Sequence, residues 1–230
     1  MAIVRYETFS RKARKQNTPL FTTLGDISGV TEQAVDHNID PNWMFFDGFV
    51  SRPDLIAGPL MALPSIRQNS HRMKVLIVGA RTEAEILVYL GLGFERDNIV
   101  ACDLFSYSPE IELANVIELP YSDREFDVVV VGWVFEFVTE VEKATQEVRR
   151  VCKFGGLICV GSMYHPKTMD WDQYIQTNHQ LDRVWRPLTA MDVVEGFKHS
   201  REDAVFLGDV FEEDVDKRND LVVIFRNRVE

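Results

Sequence analysis

The sequence predicts an α/β fold: a three-layer sandwich around a mostly parallel seven-stranded sheet that closes in a C-terminal antiparallel hairpin. Three observations carry the prediction. From Lys74 onward, apolar runs of strand length alternate with helical segments, the order of βαβ units. Two of those runs, "KVLIVGA" and "EFDVVVVGWVF", are almost unbroken in apolar character, as parallel strands buried on both faces must be. The last two apolar runs, "DAVFLGDVF" and "DLVVIFRN", flank the charged turn "EEDVDKRN" and read as an antiparallel pair.

Residues 1–70 carry few regular patterns and read as an N-terminal appendage, a possible lid, before a main domain over 71–230. Arg11, Lys12, Arg14 and Lys15 form a basic stretch that is either a solvated face or a small anion-binding patch. The aromatic residues Trp43, Phe45 and Phe46 would form a core for the appendage or a cover that keeps water from a site. A short helix is expected over "RPDLIAGPLMALPSIRQ", where Pro53 suits a helix start and Pro64 ends it.

In the main domain, "KVLIVGA" is the first strand and turns at Gly79. The following helix has Thr82 and, three residues later, Glu85, the spacing of a capping box in which each side chain satisfies the other's free N–H. The second strand, "NIVACDL", closes on Asp103; a short third strand is expected over "ANVIEL", and "EFDVVVVGWVF" is the fourth. The helix "TEVEKATQEVRRVCK" repeats the capping pattern with Thr139 and Glu142, and places Val141, Ala144, Val148 and Val151 on one face. "FGGLICVGS" turns on Gly155 and Gly156 into the fifth strand. A polar and aromatic stretch after Ser162 is too long for a plain connection, and a helix begins near Leu188 or Thr189.

The 230 residues carry a formal charge of −11, so a broad contact with a polyanion would be repulsive. Nucleic acid and anionic membrane are disfavoured as partners on that ground. The three cysteines, Cys102, Cys152 and Cys159, lie in apolar segments and cannot all pair, which points to reduced core thiols and a cytoplasmic protein; no Cys/His spacing resembles a metal site. No run approaches the roughly 18 apolar residues of a membrane helix.

In an open α/β sheet, ligands bind beyond the carboxyl ends of the strands, where helix N-termini present unpaired N–H groups. The residues just after strands one to four should therefore line one crevice: Gly79, Ala80 and Arg81; Asp103 and Leu104; Asn115 and Val116; Gly132 and Trp133. Asp103 follows Gly79 by 24 residues, close to the ~20 expected of a carboxylate that takes both hydroxyls of a ribose. Trp133 is either core packing or an aromatic wall for a cation. Glu136 reads as a solvated acid at a helix start.

The ordered segments "VLIVGARTEAE", "ACDLF", "NVIELPYSDREFDVVVVGWVFEFV" and "EVRRVCKFGGLICVGS" resemble the class I S-adenosylmethionine-dependent methyltransferases, in particular the group whose middle reads "LPF-x-D-x-x-FD". The resemblance spans Lys74 to Ser162 and implies a Rossmann-like sandwich with S-adenosylmethionine as cofactor. It implies that Gly79 to Glu83 approach the methionine portion, that Asp103 holds the ribose, and that Leu104 lies against the adenine. Asn115 stands where the family usually has an Asp that accepts the adenine amino hydrogen. The sequence departs from the family at Ile77, where an acid is common, and at Arg81 and Glu83, where glycines are common. An arginine at position 81 could bind the methionine carboxylate through a charge-assisted hydrogen bond.

Methyl transfer from a sulfonium needs a base only for a hydroxyl or protonated amine. His165 follows the fifth strand where the family places acceptor-side residues and is the candidate catalytic base; it could equally be a loop histidine bonded to water or backbone. Tyr164, Asp170, Asp172 and His179 are further candidates. The expected function is methyl transfer to a small-molecule acceptor, with a hydroxyl of a sugar or natural product preferred. The rival readings are a non-catalytic binding or interaction subunit of the same fold and a nicotinamide-dependent oxidoreductase.

Overall fold

In the computed structural model, which describes residues 2–31, 52–164, 185, 187–209 and 219–228, the sheet is built from strands that the apolar runs dictate. In chain order the strands are β1 (Thr22–Thr23), β2 (Val75–Val78), β3 (Ile99–Asp103), β4 (Phe105–Ser106), β5 (Glu112–Leu113), β6 (Phe126–Gly132), β7 (Cys152–Tyr164), β8 (Ala204–Gly208) and β9 (Asn219–Arg226). Seven of them form one sheet in the order β5-β3-β2-β6-β7-β9-β8, and β1 pairs with β4 outside it. The strands from β5 to β7 are parallel, and β9 runs antiparallel to both β7 and β8. The expected fold class is therefore the observed one. The chain winds outward in both directions from β2, which opens a crevice at the carboxyl ends of β2, β3 and β6.

Alternation along the strands divides the core in two. One face buries Leu76, Val78, Val129, Val131, Ile158 and Val160 against helices α5 (Val141–Val151) and α6 (Ala190–Gly196). The other buries Val75, Ile77, Val128, Val130, Leu157 and Cys159 against α2 (Arg52–Ala62), α3 (Pro64–Asn69) and α4 (Glu83–Gly91). All three thiols are buried and unpaired. Among the described residues no helix is long and apolar enough to cross a membrane.

The structure differs from the sequence reading in four places. An N-terminal helix, α1 (Ala2–Gln16), forms where no regular pattern stands out: Tyr6, Ser10 and Ala13 at helical spacing are buried, Tyr6 against Tyr107 of the main domain. The first helix ends before Pro64 as expected, but Pro64 then opens a second helix, α3, that the sequence reading did not foresee. The third strand of the domain lies at Glu112–Leu113, ahead of "ANVIEL"; residues 115–118 instead form a turn in which Asn115 Oδ1 accepts from Ile117 N at 3.3 Å and Asn115 O from Glu118 N at 3.0 Å. Helix α5 begins at Val141 with no side-chain cap, because Thr139 N donates to Gly29 O at 2.8 Å and ties this stretch to the N-terminal segment.

Arg150 on α5 fastens the segment between β5 and β6. It donates to Tyr121 O at 2.7 Å, Leu119 O at 2.9 Å, Asp123 Oδ1 at 2.8 Å and both oxygens of Glu147 at 2.7 and 2.8 Å. Two of those acceptors are charged and two are backbone carbonyls, so Arg150→Met should lower stability by about 2 kcal/mol. Urea denaturation monitored by circular dichroism measures that loss, and an unchanged midpoint would contradict the fastening role.

Candidate active site

Strand β2 ends in a turn that only glycine can make. Gly79 has φ +79°, and a Cβ there would overlap Val134 Cγ2. Gly79 N and Ala80 N both donate to Cys102 O, at 2.9 and 3.1 Å, which holds the turn against the end of β3. Arg81 N then donates to Gly79 O at 2.9 Å, and Arg81 is not among the residues with positive φ, so the arginine at a common glycine position sits in ordinary backbone. Thr82 caps α4 by accepting from Ala84 N at 3.2 Å, while the Glu85 carboxylate turns back toward the N–H groups of Thr82 and Arg81.

The Arg81 guanidinium lies within electrostatic reach of both Asp103 and Glu85. Asp103 stands at the end of β3, partly buried, with Oδ1 accepting from Leu104 N at 2.7 Å. Desolvation pushes its carboxyl up to about 7, against the Leu104 N–H, the Arg81 charge and the Phe105 N–H, which favour the ionised form. Glu85 is pushed up to about 8, again chiefly by desolvation, with Arg81 opposing and Asp103 reinforcing the rise. Two carboxyl groups thus share one cation on the floor of the crevice.

Glu83, at the next common glycine position, has a different job. Its side chain is buried and takes hydrogen bonds from Arg5 of α1 and from Ser108 Oγ. Its own N–H donates to Tyr107 Oη at 3.2 Å. Around this pair Tyr6, Phe9 and Phe21 pack on Phe105 and Tyr107, with Tyr6 and Tyr107 edge to face at 5.2 Å. From there residues 22–31 cross the carboxyl ends of the strands. Leu24 N donates to Leu104 O at 2.7 Å, Asn115 Nδ2 donates to Ser28 O at 2.9 Å, and Thr31 N donates to Phe137 O at 2.9 Å. Asn115 therefore spends its amide on the crossing segment and on its own turn, and Val116 beside it is buried in the core.

On the far side of the crevice, Trp133 adopts φ +55° directly after β6. Its Nε1 donates to Asp220 Oδ1 at 2.7 Å, the Arg52 guanidinium lies 5.1 Å from the ring centroid, and a Cβ on Gly161 would stand 2.7 Å from the ring. The indole is thus packed on Gly161 and already carries a cation. Glu136 is 1% exposed, not the solvated acid expected; Ser162 Oγ donates to it at 3.1 Å and Met163 N at 2.7 Å, which binds it to the end of β7. The signal for its burial was its place inside the apolar run "VVVVGWVFEFV". Tyr164 is buried at the end of β7. His165, Asp170, Asp172, His179 and the aromatic group Trp43, Phe45 and Phe46 lie outside the described residues.

Residues 91–160 match the family model described as a methyltransferase domain. The match begins just beyond the altered first turn. A solved structure from Galdieria sulphuraria, a candidate sarcosine dimethylglycine methyltransferase, superposes with a TM-score of 0.54 at 14% identity, covering 76% of this chain and 84% of that one. The chain has the class I methyltransferase fold. Within this methyltransferase fold the sequence also matches curated proteins: it is 31% identical over 75 residues to a 2-phytyl-1,4-naphtoquinone methyltransferase of Trichormus variabilis, covering 33% of this chain and 32% of that protein. It is 35% identical over 57 residues to a demethylmenaquinone methyltransferase of Desulfitobacterium hafniense, covering 25% of this chain and 22% of that protein. The chain matches about one third of the length of the first of these relatives. A [4+2]-cyclase, SpnF, shares the fold with a TM-score of 0.51 at 15% identity, covering 77% of this chain and 81% of that one. Fold alone therefore does not fix the reaction.

The Arg5–Glu83 ion pair is one of the ties that hold the N-terminal cover on the methyltransferase fold, and its share is testable. Glu83→Gln keeps the shape and removes the charge that Arg5 neutralises, so α1 should exchange its amide hydrogens several-fold faster while the protection of β2 and β6 is unchanged. Native-state hydrogen exchange reads both; equal rates in α1 would show that the aromatic packing alone docks it.

Proposed function

We propose that the protein is an S-adenosylmethionine-dependent methyltransferase with a small-molecule acceptor. The observation that carries the reading is Asp103: a carboxylate at the end of β3, held away from water, beside a glycine-only turn at the end of β2. Such a group gains when hydroxyl donors arrive, and its two oxygens suit the adjacent hydroxyls of a ribose. The chemistry at this end of the crevice fits the adenosine half of the cofactor. When bound, the cofactor would supply an electrophilic methyl group on a cationic sulfur.

Beside Asp103, Arg81 is the group that would meet the methionine carboxylate, and Glu85 next to it balances its charge. The names of the curated relatives support a small organic acceptor, quinone rings among them. A hydroxyl acceptor with His165 as base is the finer reading, and Glu136, fixed against Ser162 and Met163, would set the exit of β7 toward the acceptor side.

A second reading, a non-catalytic binding subunit, is favoured by one feature: Arg81 and Asp103 already answer each other's charge, and Glu83 is locked to α1. Calorimetry separates the two. Asp103→Ala should weaken S-adenosylmethionine binding by about tenfold or more, the loss of one charge-assisted pair of hydrogen bonds. Absence of heat from the unaltered protein would favour the binding-subunit reading.

The pH dependence follows from the raised carboxyl. In the ligand-free protein Asp103 ionises near 7 instead of 3.8, so the fold binds more protons than the unfolded chain across that window and loses stability as pH rises through it. A diol prefers the ionised form, so cofactor affinity should climb as pH rises through about 7. Titrations across that range measure the slope, and Asp103→Asn should flatten it; a slope that persists in the variant would assign the titration elsewhere.

A further inference from the structure

We propose that the cleft at the amino-terminal end of the sheet, opposite the crevice, binds a small oxyanion ligand, a phosphate or carboxylate carried on an apolar group. The cleft holds about 220 Å³ and its lining includes Asp123, Arg124, Gln146, Arg149, Arg150, Phe154 and Asn227. Three guanidinium groups in one cavity stand out on a chain of net charge −11.

Their pairing separates structural cations from available ones. Arg150 is saturated by Glu147, Asp123 and two carbonyls, so it contributes wall. Lys153 and Arg228 at the same end have carboxylate partners in Asp127 and Asp203. Arg149 has none among the described residues: one terminal nitrogen donates to Phe197 O at 3.3 Å, and its Nε–H is buried in the protein without an acceptor. A buried donor left without an acceptor is costly, so an oxyanion that draws the Arg149 guanidinium toward the cleft gains a hydrogen bond the protein alone does not make. The Arg124 side chain is exposed and has no hydrogen-bond or ion-pair partner among the described residues.

Two backbone features point the same way. Arg124 is held at φ +55°, a conformation that Gly or Asn would adopt at lower cost. The end of α5 would ordinarily repel an anion, but its carbonyls are already covered: Arg124 N donates to Arg150 O at 2.7 Å, and Asn227 Nδ2 donates to Arg149 O and Cys152 O, both at 2.9 Å. The guanidinium groups therefore set the sign of the cleft. Phe154 is 58% exposed at its mouth, a large apolar side chain suited to contact the organic part of the ligand.

The site shares no residue with the crevice and does not rest on the methyl-transfer reading. The test is titration of the whole protein with inorganic phosphate, phenyl phosphate and benzoate at constant ionic strength, read by the NMR resonance of the Arg149 Nε–H. A saturable shift of that resonance is expected, with phenyl phosphate binding more tightly than inorganic phosphate, and the relative affinity of benzoate tells a phosphate site from a carboxylate one. Arg124→Gln, an exposed change that keeps the fold, should weaken binding by about tenfold, and Phe154→Ser should remove the advantage of the phenyl group. The proposal is overturned if none of the three probes moves the Arg149 resonance, or if Arg124→Gln binds them as well as the unaltered protein does.

Discussion

A Cβ on Gly79 would overlap Val134, and the residue's N–H and that of Ala80 are both consumed by Cys102 O. These two constraints allow the chain leaving β2 only one path, a tight turn pinned to the end of β3. The start of α4, the placement of Asp103 and the mouth of the crevice all depend on that path. Because β2 is buried on both faces, the turn cannot relax by moving the strand without opening both halves of the core.

Beyond the turn, the two positions where glycines are common have been given to charge. At 81 the side chain stays in the crevice near two carboxyl groups; at 83 it leaves the crevice and anchors an N-terminal helix. A glycine at 83 would free backbone for close approach to a ligand but would forfeit the hydrogen bonds from Arg5 and Ser108. What replaces it is a cover: α1 and residues 22–31 are held by the aromatic cluster and by hydrogen bonds to Leu104, Asn115 and Phe137. The altered motif therefore reads as a change of use, in which a segment fastened to the motif itself covers the carboxyl ends of the strands.

How much of this was legible in the sequence varies with the range of the interaction. The strands were legible because burial on both faces demands continuous apolar runs, and Asp103 because the turn-to-acid spacing is set by one βαβ unit. Helix α1 was not, because its sequence "AIVRYETFSRKARKQ" is mostly polar and its docking pair spans 78 residues, which no local pattern records. Thr139 was misread for the same reason: Thr139 and Glu142 have a capping pattern, but Gly29 from the far end of the chain takes the Thr139 N–H. The third strand was displaced by a turn whose only local mark is one asparagine, Asn115. Of the candidate residues, Gly79, Ala80, Arg81, Asp103 and Leu104 gather at one end of the crevice, while Trp133 stands across from them with its ring already occupied.

The electrostatics of the crevice floor decide how it can be used. Burial is what makes both carboxyls hold their protons to higher pH than usual; Arg81 opposes the rise in each, and for Glu85 the Asp103 charge adds to it. A ligand presenting only a cation would be drawn in without direction, and one presenting only an anion would compete with the carboxyls for Arg81. A ligand that carries a diol at one end and a carboxylate near a cation at the other would satisfy all three groups together: the diol on Asp103, the carboxylate on Arg81, and the positive charge balanced by Glu85. On the proposed methyl-transfer reading, the arginine that breaks the glycine pattern is thus the group that would meet the acid end of such a ligand.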